Sequence, residues 1–224
     1  MKKTKWYVLF VAGIVLSVGL GFFVFREKAW SFLTVAVLFI SCLFFLARLE
    51  EKEMSIRRIV VIAVMTAISV TGRFLFAVVP GFKPVTAVVV ITGMYCGYDA
   101  GFICGAFSAV ISNCYFGQGP WTPFQMTAWG VLGLLAGVLG PVLKKKKVLL
   151  LGYGIFAGTA YSFFMDIWTV LWYNGSWKWP LYLMAVTSAV PYTVSYAVSN
   201  VIFLGVLEKP MGRKLKRMKQ KYGI

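Results

Sequence analysis

The sequence predicts an all-α integral membrane protein with eight membrane segments. Of its 224 residues, 60% are hydrophobic and only 13% are charged, against about 45–50% and about 25% in an average soluble domain. The mean hydropathy is +0.80. The formal net charge is +16, from 23 Lys and Arg against 7 Asp and Glu, and the cations lie between long apolar runs. A water-facing surface needs more charge than this. A soluble nucleic-acid binder needs its Lys and Arg interleaved through a folded surface. Both classes are excluded, so the expected partner is a lipid bilayer and not a nucleic acid.

A membrane-spanning helix needs about 20 mostly apolar residues. The first two runs are 7–25 and 30–47, and the third, 56–79, ends at Pro80-Gly81-Phe82-Lys83-Pro84. A short fourth run, 85–95, merges through Cys96-Gly97-Tyr98-Asp99 into a fifth, 100–115. The sixth covers 124–143, the seventh 148–172 and the eighth 181–207. Lys2, Lys3 and Lys5 ahead of the first run resemble the start of a signal peptide. That run is longer than the 7–15 residues of a signal peptide's apolar region and has no small-x-small cleavage site. It reads as a retained helix.

The basic residues give the orientation, since cytoplasmic loops carry the excess of Lys and Arg. With the N-terminus inside, Arg48, Lys52, Arg57, Arg58, 144–147 and the tail from Lys209 to Lys221 all fall inside. Only Arg26, Lys28, Lys83 and Lys178 fall outside, with Arg73 within a span. The alternation requires an even count, with both termini cytoplasmic in the cell membrane. The tail is expected along the anionic leaflet, where each cation contributes about 1 kcal/mol.

Helices in lipid associate through small residues. The fifth span carries Gly97, Gly101, Gly105 and Ala109 at spacing four, on a face that reaches Asn113. The sixth carries Gly130, Gly133, Gly137 and Gly140, and the seventh Gly154 and Gly158. These stripes predict a tight bundle and no chemistry. In the third span, Ala63 and Ala67 form a further small pair, suited to an internal neighbour or to a partner protein. Arg73 lies about 240° around the helix from Ala67.

An ionisable residue inside a span costs several kcal/mol unless paired or hydrated. Arg73 and Asp166 each lie six residues from the outer ends of their runs, so equal depth permits an ion pair or two walls of one polar cavity. Trp121, Trp129, Trp168, Trp172, Trp177 and Trp179 gather at the outer ends of the last three spans. An interfacial belt would populate both leaflets. The outer loop 113–125 mixes Asn113, Gln118 and Gln125 with glycines and rings, which suits an outward pocket for a polar, ring-bearing small molecule. Lys83 lies in the neighbouring outer loop, and Pro191 is placed to kink the last span.

Histidine is absent, no carboxylates are paired within a span, and no C-x-x-C pair occurs. Catalytic residues, a metal site and a cofactor are therefore not expected. Cys42, Cys96, Cys104 and Cys114 read as buried free thiols. There is no G-x-x-x-x-G-K-[ST], so the chain does not hydrolyse a nucleotide by itself.

Over about 54–222 the sequence resembles the substrate-binding (S) component of energy-coupling factor (ECF) vitamin transporters. The resemblance rests on Met54-Ser-Ile-Arg-Arg58 leading to Ala63-x-x-x-Ala67 and Arg73-Phe, then Pro84-Val-Thr-Ala and Thr92-Gly. It continues through Gly101-Phe-x-x-Gly105, Ser112-Asn113, Phe116-Gly-Gln-Gly-Pro-Trp-Thr-Pro-Phe-Gln-Met126 and Trp129-Gly, and closes with Asn200 and Lys209-Pro210. It implies a six-helix core at 54–224, preceded by two extra transmembrane helices at 1–53. It also implies that the Ala63/Ala67 face docks on a transmembrane coupling subunit (T component), itself seated on two ATPases. The ligand, a vitamin-like molecule such as cobalamin or a related compound, would bind near the outer loops. The expected contacts are Arg73, Lys83, Asn113, Gln118, Trp121, Gln125, Trp129, Asp166 and Trp172. The competing readings are a self-sufficient secondary transporter of a small organic solute and a purely structural membrane partner. No internal repeat of the kind such transporters show is evident.

Overall fold

The computed structural model describes residues 40, 54–119, 121–175 and 177–222. Residues 7–25, 30–39 and 41–47, Cys42 among them, lie outside the described residues. The third to eighth apolar segments each fold as a helix, and no strand occurs among the described residues.

Helix α1, Ile56–Leu75, starts at Ser55, whose hydroxyl accepts from the Arg58 amide at 3.3 Å. Such a cap satisfies one of the helix's free N–H groups. The helix stops at Leu75, not at 79, ahead of Pro80, which disfavours helical backbone at the residue before it. Helix α2, Val85–Cys96, has 12 residues and spans about 18 Å, too short to cross a bilayer core. Its all-round apolar surface is buried on every side except at its last residue, Cys96. It is the central pillar of the bundle.

Only Gly97 separates α2 from α3, Tyr98–Phe116, and its φ of 102° is a backbone conformation that suits glycine. Helix α4, Trp121–Val138, is followed by the single turn α5, Gly140–Leu143. The expected run 124–143 is thus a helix and a separate turn. The glycine stripes meet as predicted: a Cβ on Gly133 would collide with the Gly101 carbonyl, and one on Gly93 with that of Gly133. Helices α2, α3 and α4 therefore touch backbone to backbone.

Helix α6 is Lys147–Asn174 and α7 is Trp179–Tyr222. Asn200 ties them together by donating to the Gly154 carbonyl at 3.0 Å. Among the described residues, α1, α6 and α7 are long and apolar enough to cross a membrane. Helix α7 is continuous through Pro191 and Pro210, so the basic tail extends the last span and does not turn off as a separate segment. Its good helix formers favour this. Leu215 is buried, and Met211 and Met218 pack against the core at helical spacing.

Of the thiols, Cys104 is buried and Cys96 is half-buried. Cys114 is exposed, contrary to expectation, because it faces outward in the last turns of α3.

Candidate substrate-binding site

Arg73 comes from the last turn of α1 and is buried. Its Nη1 donates to the Ser112 hydroxyl and, at 2.8 Å, to the Asn113 side-chain oxygen. Its guanidinium lies 4.8 Å from the Phe116 ring centroid and 5.3 Å from that of Trp129. Cation–π attraction in a desolvated site strengthens both contacts. A delocalised guanidinium is suited to this stacking and keeps its charge in a protein.

Asn113 is the hub. While its oxygen accepts from Arg73, its Nδ2 donates to Thr122 at 2.9 Å and to Gln125 at 2.8 Å. Thr122 and Gln125 stand three residues apart at the start of α4, so one amide clamps the C-terminal ends of α1 and α3 to the N-terminal end of α4. Trp129, one turn below Gln125, donates its indole N–H to Thr86 of α2 at 3.2 Å. Its ring stacks on Tyr161 of α6 at 5.0 Å, with 13° between the planes.

Lys83 is fixed by its backbone. Its N–H donates to the Ser199 hydroxyl at 2.8 Å, and its carbonyl accepts from that hydroxyl at 2.9 Å. Its ammonium lies 5.8 Å from the Phe116 ring, which it shares with Arg73. Burial first, then the neighbouring Arg73 charge, lowers the Lys83 pKa from the usual lysine value.

Asp166 is also buried but forms no ion pair with Arg73, and its Oδ2 has no hydrogen-bond partner. Counting from the ends of the apolar runs suggested equal depth. In the structure Arg73 is in the final turn of its helix, while α6 continues eight residues beyond Asp166.

The remaining expected residues divide. Gln118 is exposed and used within its loop: its Nε2 donates to the Val110 carbonyl at 2.8 Å, and its Oε1 accepts from Thr122 at 2.9 Å. Trp121 is half-buried, with its ring over Gly119. Trp172 is 43% exposed and packs on the buried Trp168, 4.9 Å between centroids. These tryptophans thus form both an interior wall and an exposed fringe. Sequence reasoning did not pick out Thr86, Tyr161 or Tyr196 for this region, because interhelical partners distant in sequence carry no spacing signal.

On the opposite half of α1, Ala63 and Ala67 are both exposed. They line an apolar groove of about 600 Å³ with Ile62, Thr66, Ile103 and Phe107. A single helix therefore buries Arg73 on one face and presents small residues on another.

A family model for the substrate-specific component of ECF transporters matches residues 57–211, which contain every residue of the candidate site. The chain belongs to this family. Searches of the curated proteins and of the solved structures each found no match. This S component is thus a multi-pass membrane transport protein, and the match runs from α1 to residue 211 of α7.

Proposed function

We propose that this S component is the high-affinity, membrane-embedded substrate-binding subunit of an ECF-type ABC importer. It captures a vitamin-like small molecule from outside and delivers it inward with a T component and two ATPase subunits. Cobalamin or a related compound is among the ligands that fit this role. The observation that carries the reading is the buried Arg73–Asn113 hub, walled by Phe116, Trp129 and Tyr161 beneath the outer loops. A fixed charge, an oriented amide and flat rings are the means by which a small site selects a polar, ring-bearing ligand. Lys83 and Gln125 contact this region, Gln118 holds its loop, and the proposed site extends to Asp166, Trp121 and Trp172. The Ala63/Ala67 groove provides a close-packing face for the T component.

The test is mass spectrometry of small molecules carried through purification of the full chain, with Arg73→Ala in parallel. A compound retained by the wild type and lost from the variant supports the reading. Uptake by the chain alone in proteoliposomes, driven by an ion gradient without ATP, would replace it with a secondary transporter.

A further inference from the structure

Two opposite charges are buried in this bundle, and neither meets an opposite charge among the described residues. Arg73 is 7% exposed and Asp166 is 8% exposed. The partners of Arg73 Nη1, Ser112 and Asn113, are uncharged, and its Nε is buried without a hydrogen-bond partner. Asp166 Oδ2 is buried in the same condition. Burying a charge without compensation is strongly unfavourable, and within a membrane such residues mark substrate paths.

An aromatic path connects the two. The Arg73 guanidinium lies over Trp129, Trp129 stacks on Tyr161, and Tyr161 meets Tyr196 edge-on at 5.2 Å. Tyr196 lies within electrostatic reach of both Arg73 and Asp166. Asp166 follows Tyr161 by five residues, about 7.5 Å along α6 and about 140° around it, one turn beyond Ser162, whose hydroxyl lies 2.7 Å from that of Thr193 on α7. The Arg73 end carries a second cation, because Lys83 shares the Phe116 ring with it.

We infer that the ligand is amphoteric, with an anionic group held at Arg73 and Lys83, a cationic group at Asp166, and a flat apolar body along Trp129, Tyr161 and Tyr196. This rests on the reading of the outer site as substrate-binding. A ligand with one charge would leave the other buried charge unpaired. An amphoteric one pairs Arg73 and Asp166 and itself brings no net charge into the bundle.

The test titrates the purified full-length protein with three matched probes, followed by tryptophan fluorescence: 4-(aminomethyl)benzoic acid, 4-methylbenzoic acid and 4-methylbenzylamine. The amphoteric probe is expected to bind at least about tenfold more tightly than either singly charged probe, one charge-assisted contact being worth that much or more. Asp166→Asn is expected to remove its advantage over the acid, and Arg73→Gln its advantage over the amine. Asp166→Glu keeps the charge and is expected to restore part of the preference, which separates a charge effect from misfolding. Equal binding of the acid and the amphoteric probe to the wild type would overturn the inference. So would an unchanged preference in Asp166→Asn that elutes as a folded monomer. Either result leaves the transport reading standing if a metabolite co-purifies. A wild type that retains no metabolite and binds none of the three overturns both.

Discussion

Asn113 accepts a hydrogen bond from Arg73 at 2.8 Å, joining the last turn of α1 to the last turn of α3. A carboxylate at this position would neutralise the guanidinium. A carboxamide holds it in place and leaves its charge for something else. Asn113→Asp is therefore expected to keep the fold, because Thr122 and Gln125 can each turn a donor toward the new carboxylate. Affinity for an anionic ligand group should fall at least about tenfold, the value of one charge-assisted bond. Thermal unfolding and ligand titration on the same preparation check the two halves separately.

Asn113→Leu should behave differently. It removes one hydrogen bond each from Arg73, Thr122 and Gln125, leaving Arg73 its bond to Ser112 and Thr122 its bond to Gln118. A buried polar group left unsatisfied costs about 1–3 kcal/mol. The expected outcome is a clear loss of thermal stability in detergent, with weaker binding as a consequence. Unchanged stability would show that the hub does not clamp the three helices.

Gly133 is packed against the Gly101 backbone and the Val89 side chain. Gly133→Leu must push α4 away from both α2 and α3, and overpacking of this kind costs about 1–3 kcal/mol or more. Gly152, where an added Cβ meets nothing, provides the control on a neighbouring helix. Size-exclusion profiles of Gly133→Leu and Gly152→Ala should diverge, with only the first aggregating.

This contrast also marks how much could be read from sequence. The glycine stripes and the short apolar helix at 85–95 follow from spacing and composition alone, because lipid allows so few ways to satisfy a backbone. The site was legible in part: Arg73, Asn113, Gln125 and Trp129 converge, and a polar residue in a span is conspicuous. Gln118 was not legible, since an amide in a loop looks the same whether it faces a ligand or its own backbone. Nor was the relation of Arg73 to Asp166. Depth counted from apolar runs gives no side-chain contact: Arg73 bonds to Ser112 and Asn113, and Asp166 forms no ion pair with it. The stripe of Met211, Leu215 and Met218 did carry the tail's helical period, masked by the cations between them.

The exposed Ala63 and Ala67 lead to a prediction about assembly. Ala63→Trp or Ala67→Trp fills the apolar groove without touching the Arg73 face of the same helix. Co-purification with the T component should be lost, while ligand binding by the isolated S component stays within about twofold, as expected for sites that share no partners. An intact complex from both variants would move the docking surface elsewhere.

Lys83 provides a test by pH. Its pKa is lowered, first by burial and then by Arg73, so the unfolded chain binds the proton more tightly than the folded one. The charged form therefore weakens the fold at neutral pH. That cost disappears as pH rises through the folded pKa toward the usual lysine value of about 10.4. Lys83→Met, which keeps the stem over Phe116, should unfold at a higher temperature than the wild type at pH 7. The difference should shrink as the buffer becomes alkaline. The same variant should bind an anionic ligand group more weakly, because the second cation at the Phe116 ring is gone. Higher stability together with weaker binding would mean that Lys83 is retained for the ligand; a drop in both would instead make it a structural residue of the loop.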